Sequence, residues 1–80
     1  MKTIFLKSNE SVKKMFVDGS RYAVVVFNSE EELYYAIING QRSTFYKTFG
    51  HCQNLVFRND YSDYISEYDI SNIRKNIVIK

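Results

Sequence analysis

The chain lacks most of the residues from which small catalytic or disulfide-bonded sites are built. Its 80 residues include one histidine, one cysteine and three glycines, and neither proline nor tryptophan occurs. A single cysteine cannot close an internal disulfide, so we expect a reducing compartment. No stretch rich in glycine, serine or proline marks a linker, and we therefore predict one ordered domain over residues 1–80.

Neither a membrane span nor an export signal is visible in the sequence. No hydrophobic run approaches the roughly 20 residues that a membrane-spanning helix needs. The first apolar stretch already ends at Lys7, which is too early for the hydrophobic part of a secretory signal. We therefore expect a cytoplasmic protein with no membrane partner.

The reactive side chains predict a protein that is not an enzyme. His51 and Cys52 are adjacent, and neighbours on an extended strand point to opposite faces, so they cannot form a nucleophile and base pair. A zinc site needs about four converging ligands, and the chain has no second histidine or cysteine. Gly19, Gly40 and Gly50 are isolated, which argues against a glycine-rich phosphate loop. We expect neither a metal nor a cofactor.

The clearest predicted helix covers residues 28–39. Ser29 is a suitable N-cap, and Glu32 stands three residues further on as its capping-box partner. Apolar residues then recur at spacings of three and four from Leu33 onward, and Gly40 is a typical helix terminator.

A second predicted helix runs from Asn59 or Asp60 to about Tyr68. Its apolar positions repeat at three and four residues and are mostly tyrosines: Tyr61, Tyr64, Ile65 and Tyr68. We expect most of these rings to pack on a sheet while their hydroxyl groups reach water.

Strands are predicted in the remaining segments. Residues 22–27 form a continuous β-branched and apolar run, which is typical of a central strand covered on both faces. Residues 43–49 and 53–58 are predicted to form an antiparallel hairpin around a turn at residues 50–51. Residues 73–79 alternate in character and predict a last strand.

From residue 21 onward these elements follow the order strand, helix, strand, strand, helix, strand, which is the ferredoxin-like order. Ahead of it, residues 3–7 are a predicted strand, and residues 15–17 lead into a turn at residues 18–19 as a hairpin arm. A short helix over residues 10–16 is the alternative. The prediction is a small α+β domain whose antiparallel sheet of four to six strands carries two helices on one face.

The net charge of +2 argues against both a polybasic chain and a strongly acidic one. Charge nevertheless divides by segment, because residues 28–40 and 59–72 hold acidic side chains and no basic ones. Both segments are predicted helices, and the predicted strand segments are basic. The sequence therefore predicts a slab with a basic sheet side and an acidic helix side.

This division supports a nucleic-acid-binding hypothesis. On an open sheet face, aromatic rings can stack on bases while lysine and arginine follow the phosphates of RNA or another single strand. The candidates for this surface are Lys13, Tyr22, Tyr46, Lys47, Arg58, Arg74 and Lys75.

The leading hypothesis is a protein-binding inhibitor or adaptor that acts on a host protein. Its contact surface would be an edge strand or the tyrosine-rich helix with Tyr61, Tyr64 and Tyr68, because tyrosine anchors are common at interfaces. A homodimer is a further possibility.

Two weaker indications concern mimicry and origin. A DNA mimic would use the acidic residues Glu30, Glu31, Glu32, Asp60, Asp63, Glu67 and Asp69, but such proteins need strong negative charge and this chain carries +2. Lysine, asparagine, isoleucine, tyrosine and phenylalanine make up 35 of the 80 residues, which is typical of an AT-rich genome and suggests a phage or mobile element, with a low-GC bacterium as the alternative.

Overall fold

The centre of the protein is a four-stranded antiparallel sheet built from consecutive strands. The computed structural model describes residues 3–19, 21–62, 71 and 73–80. The sheet is formed, from edge to edge, by β2 (Glu10–Asp18), β3 (Arg21–Asn28), β4 (Leu33–Ile38) and β5 (Gln41–Arg42). The remaining described elements are β1 (Ile4–Leu6), α1 (Phe49–Arg58) and β6 (Ile77–Ile79), so the α+β prediction is confirmed.

Strand β3 is the central strand that its composition predicts. Tyr22, Val24 and Val26 point to one face of the sheet and belong to one hydrophobic cluster. Ala23 and Val25 point to the other face and belong to a second cluster. Both faces are therefore covered, and this explains why the strand is apolar at every position rather than at alternate ones.

The first face is covered by a small parallel sheet. Strand β1 pairs with β6 in register, with Ile4 opposite Ile77. Ile4 and Leu6 pack inward, together with Ile73 from a helical turn just ahead of β6. Residues 3–7 were predicted as a strand, and β1 confirms this. Of the predicted strand 73–79, the C-terminal part is a strand and Ile73 belongs to the helical turn.

The second face is covered by α1. The helix begins after Thr48, whose hydroxyl accepts the N–H of His51 as an N-cap. Cys52 and Val56, four residues apart, are fully buried on the helix side that faces the sheet. They pack with Phe16 in the second cluster. No described helix is long and apolar enough to cross a membrane.

The predicted helix over residues 28–39 is wrong. Residues 29–32 form the loop of a β-hairpin, in which the Asn28 side chain accepts the N–H of Glu31. The following residues form β4, which pairs with β3 from Asn28 opposite Leu33 onward. The same apolar residues that suggest a helical stripe also satisfy a strand with both faces buried, and pairing with β3 decides between the two.

The hairpin predicted for residues 43–49 and 53–58 is also wrong. Residues 53–58 lie inside α1, and the first segment contributes an isolated bridge between Tyr46 and Tyr34 instead of a strand. Thr48 is the N-cap, and the helix begins at Phe49, the last residue of the first predicted strand. Spacing of three and four between buried positions then favours the helix over alternation.

The N-terminal half agrees better with the sequence. The turn at residues 18–19 joins β2 to β3, with Asp18 opposite Arg21 and Gly19 at φ +62°. The alternative helix over residues 10–16 is wrong, since these residues lie in β2. The second predicted helix falls mostly outside the described residues, and its first residues, 59–62, are not helical. The ferredoxin-like order and the pair of helices on one face are not confirmed.

The predicted charge separation between helices and strands is not confirmed for the described residues either. Helix α1 contains no acidic residue, and Arg58 lies in its last turn. The three consecutive glutamates lie in the exposed β3–β4 loop rather than on a helix. The structure therefore describes no acidic helix, and Asp63, Glu67 and Asp69 of the second acidic segment lie outside the described residues.

The thiol of Cys52 provides a test of how α1 packs. It is fully buried, and burial raises its pKa to about 11. Because the thiolate is the reactive form, we expect Ellman's reagent to leave the native protein unmodified at about pH 8 and to modify one thiol after denaturation in urea. If the native protein reacted at the rate of the denatured chain, Cys52 would not be buried between α1 and the sheet.

Candidate binding groove

A groove of about 540 Å³ runs between the outer edge of β2 and strand β6. Both strands lie at the margin of their sheets, since among the described strands β2 pairs with β3 and β6 pairs with β1. The described residues that line this β2–β6 groove are Ser11, Val12, Lys13, Lys14, Met15, Arg74, Ile77 and Ile79.

The groove has an apolar floor and a basic rim. Met15 is buried in the first cluster, and the half-buried Val12 and Ile77 pack against that cluster. The basic residues Lys13, Lys14 and Arg74 also line the groove, and Lys13 and Arg74 are exposed. The arrangement combines apolar side chains for burial with cations for orientation, which is typical of a recognition surface.

A β-bulge determines where the lysines of β2 lie. The register with β3 shifts between Val12 and Lys14, so Lys13 is the extra residue. The Lys13 Nζ lies 5.5 Å from the centre of the Phe27 ring. The Lys14 Nζ donates a hydrogen bond of 3.1 Å to Gln53 of α1, toward the second face of the sheet. The bulge thus gives two consecutive lysines different surroundings at one edge.

The structure separates the residues predicted to bind nucleic acid. Lys13 and Arg74 line the β2–β6 groove, and the exposed Lys75 follows Arg74 in the chain. Tyr22, in contrast, is 6% exposed and belongs to the first core cluster, so its ring is not available for stacking on a base.

The other three candidates lie elsewhere. Tyr46 is half-buried and exchanges backbone hydrogen bonds with Tyr34 of β4, toward the edge of the sheet opposite to β2. Lys47 follows it and is exposed. Arg58 ends α1, where its Nε donates to the carbonyl of Asn54. The predicted residues therefore do not form one continuous aromatic and basic surface.

The tyrosines predicted to bind protein are described in part. Tyr61 is 4% exposed, and its hydroxyl donates to the Asn39 side chain at 2.7 Å. The Arg21 guanidinium lies 4.8 Å from the centre of its ring. Burial raises the pKa of the Tyr61 hydroxyl. Its described role is to tie the end of α1 to the two hairpin turns, while Tyr64 and Tyr68 lie outside the described residues.

A second cleft, of about 500 Å³, contains a buried polar cluster that the sequence did not reveal. The carboxylate of Glu10 accepts the N–H of Lys7 at 2.9 Å and the Asn28 amide at 3.3 Å. Tyr35 also hydrogen-bonds to this carboxylate. Arg42 donates to the Tyr35 hydroxyl and, at 2.6 Å, to the carbonyl of Phe5.

The pKa values of this Glu10 cleft reflect its mutual hydrogen bonds. Burial alone would raise the pKa of Glu10, but the Lys7 N–H, the Tyr35 and Asn28 side chains and the charge of Arg42 together lower it. Burial and the hydrogen bond to Glu10 raise the pKa of Tyr35 to about 12. At neutral pH the carboxylate is ionised and the phenol is protonated.

The hydrogen bonds of these groups link several strands. Glu10 accepts from Asn28, Arg42 donates to the Tyr35 hydroxyl, and the Arg42 bond to the Phe5 carbonyl ties β1 to β5. No group of three histidine, cysteine or acidic side chains that could hold a metal occurs among the described residues. The cluster acts as a polar brace at the margin of the hydrophobic core.

One sequence signal could have located the turn that places Arg42 beside Tyr35. Asn39 and Gly40 both have positive φ, at 52° and 85°, and form the two-residue turn between β4 and β5. Asparagine–glycine is among the strongest hairpin signals, whereas Gly40 is interpreted above as a helix terminator. Comparison of the chain with protein-family models, with curated proteins and with solved structures finds no match.

Proposed function

We propose that this chain is a small non-catalytic binding protein, an inhibitor or adaptor that contacts a host protein through the β2–β6 groove. One observation carries the proposal: two strand edges, an apolar floor and three basic residues converge on the same described groove. Edge strands and apolar grooves are regular sites of protein recognition. Cytoplasmic location and a phage or mobile-element origin belong to the same proposal and rest on the composition.

A catalytic role has less support. The most densely hydrogen-bonded described cluster, around Glu10, is internally paired and braces β1. The thiol of Cys52 is buried and protonated at neutral pH because its pKa lies near 11. Neither group combines the exposure and the activating partner that nucleophilic or acid–base catalysis requires.

Binding of single-stranded nucleic acid is the second candidate function. Lys13 and Arg74 in one groove favour it, because two cations can follow a phosphate backbone. The described lining of the groove contains no aromatic side chain on which a base could stack. The groove therefore fits an extended polypeptide better than a nucleic acid.

The function is tested by capture of partners with two variants of equal charge. The full chain, the double variant Lys13→Glu/Arg74→Glu and the matched variant Lys47→Glu/Arg58→Glu are used to isolate partners from a host lysate, with and without nuclease. All four altered side chains are exposed, so each variant should fold like the parent.

We expect a protein that survives nuclease treatment, is bound by the parent and the matched variant, and is lost from the groove variant. Loss with both variants would indicate attraction by overall charge and would contradict the proposal. A partner that disappears with nuclease would favour the nucleic-acid function instead, and its binding should weaken steeply with salt.

A further inference from the structure

We propose that Asn39 is a site of spontaneous deamidation, and that the β4–β5 turn and the Tyr61 hydroxyl restrain this reaction in the folded protein. The modification converts the asparagine into aspartate or isoaspartate without an enzyme. Asn39 is not among the described residues that line the β2–β6 groove. The inference therefore goes beyond the proposed function and does not depend on it.

The sequence around Asn39 favours the reaction. Among the seven asparagines of the chain, Asn39 alone is followed by glycine. Glycine has no Cβ to obstruct its own backbone nitrogen, so the Gly40 nitrogen can reach the side-chain carbonyl carbon of the preceding residue more easily than any other nitrogen of this kind in the chain. Asn39 is also exposed, so water has access to the site.

The reaction needs water as its only co-reactant. The Gly40 nitrogen forms a bond to Cγ of Asn39 and gives up its proton, while the Cγ–Nδ2 bond breaks and ammonia leaves with that proton. Water then opens the resulting five-membered succinimide at one of its two carbonyl carbons. Attack at Cγ gives aspartate, and attack at the main-chain carbonyl carbon gives isoaspartate, in which Cβ and Cγ belong to the backbone. Either product carries one additional negative charge.

The folded turn holds Asn39 in a conformation that does not close this ring. Asn39 has a φ of 52° and lies in the left-handed region. Ring closure requires Cβ and the Gly40 nitrogen to eclipse each other about the Cα–C bond, and the ψ values of the left-handed region do not allow this. The Asn39 N–H donates to the Tyr22 carbonyl at 3.2 Å, and Ile38 pairs with Gln41 across the turn. Deamidation therefore requires the turn to open.

The Tyr61 hydroxyl restrains the reacting side chain. It donates to Oδ1 of Asn39 at 2.7 Å, and the Tyr61 side chain is itself 4% exposed. The Arg21 guanidinium lies 4.8 Å from the centre of the Tyr61 ring and covers it. The asparagine side chain is thus tied to a buried ring, and Cγ can rotate toward the Gly40 nitrogen only when this hydrogen bond breaks. We expect Tyr61 to slow deamidation.

Isoaspartate at position 39 would also affect the contacts beyond the turn. It lengthens the backbone of a two-residue turn by one carbon atom. Strand β5 follows directly, with Arg42 opposite Ile37. Arg42 donates to the Tyr35 hydroxyl and to the Phe5 carbonyl. A longer turn displaces β5 and weakens its tie to β1.

The test follows the deamidation of the full chain at neutral pH by mass spectrometry, with peptide fragmentation to locate the modified residue. Isoaspartyl methyltransferase labels the isoaspartate. The parent is incubated in its native state and in urea. Tyr61→Phe removes the donor to Asn39, and Tyr46→Phe removes a hydroxyl at the other end of β4 as the matched control. Phe16→Leu lowers the overall stability without altering the turn.

We expect Asn39 to be the fastest site in urea and to react at least about tenfold more slowly in the native parent, because the turn must first open. Tyr61→Phe should accelerate the native reaction at least about threefold, which corresponds to the loss of one hydrogen bond. Tyr46→Phe and Phe16→Leu should each stay within about twofold of the parent, because neither alters the local opening. The isoaspartate product should unfold at a lower urea concentration than Asn39→Asp, which has the added charge but not the longer backbone.

Several results would overturn the inference. An unmodified Asn39 in urea would show that the site is not labile, and equal rates in urea and in the native protein would exclude restraint by the turn. A native rate of Tyr61→Phe equal to that of the parent would exclude the role of Tyr61. Equal acceleration by Phe16→Leu and Tyr61→Phe would assign the reaction to global unfolding instead of local opening.

Discussion

Replacing Phe16 with alanine is expected to lower the free energy of unfolding by about 3–5 kcal/mol, because the side chain would leave a cavity between the sheet and α1. Phe16 is fully buried, and its ring meets that of Phe57 edge to face at a centroid distance of 5.6 Å. A chain of this size has a total stability of roughly 4–12 kcal/mol, so the variant is expected to be partly unfolded at room temperature. Urea denaturation followed by circular dichroism measures the change.

A more conservative substitution and a matched control keep this prediction testable. Phe16→Leu retains much of the buried volume and should cost about 1–2 kcal/mol while the protein stays folded. Phe5→Ala removes a ring that is 49% exposed on the outer side of β1 and should cost less than about 1 kcal/mol. Equal losses for Phe16→Ala and Phe5→Ala would contradict the described packing of α1 on the sheet.

Replacing Glu10 with glutamine is expected to cost about 1.5–3 kcal/mol at neutral pH, because hydrogen bonds to a charged acceptor are stronger than those to an amide. The carboxylate is 8% exposed and accepts from the Lys7 N–H and the Asn28 amide. The glutamine also introduces two N–H donors that face the Asn28 amide and the Arg42 guanidinium. The change is measured by urea denaturation over a series of pH values.

The same residue predicts the direction of the pH dependence. The pKa of Glu10 is lowered in the folded protein from its ordinary value of 4.5. Its contribution is therefore fully present above pH 4.5 and is lost as the pH falls through the lower folded value. We expect the free energy of unfolding of the parent to decrease as the pH falls below 4.5 toward the lower folded value, and that of Glu10→Gln to decrease less.

A neighbouring carboxylate provides the control. Glu31 is exposed in the β3–β4 loop, so Glu31→Gln should leave both the stability and its pH dependence close to those of the parent. If Glu10→Gln retained the full acid sensitivity of the parent, the ionised carboxylate would not stabilise the fold in the described way.

The structure confirms the sequence interpretation where local pattern and tertiary setting agree. Residues 22–27 are apolar and largely β-branched without interruption, which favours a strand buried on both faces, and β3 is such a strand. The turn at Asp18 and Gly19 requires a residue that tolerates positive φ, and the sequence places glycine there. Both predictions depend on steric and burial constraints that act within a few residues.

The groove could not be predicted in this way. Lys13 and Arg74 are far apart in the chain, and they share a groove because β6 packs over the first face of the sheet beside β2. The candidate cations were identified by their charge, but charge carries no information about which of them meet. Tyr22 was chosen as an aromatic ring, and its place opposite Val17 and within the first core cluster buries it.

By itself, the sequence determined that this is a small α+β protein with a central apolar strand, an N-terminal hairpin and few reactive side chains. Tertiary structure alone decided that residues 33–38 form a strand and residues 49–58 a helix. The physical reason is that spacing and capping are compatible with either conformation in short apolar segments. A partner strand on one side and a sheet face to cover on the other supply the free energy that selects between them.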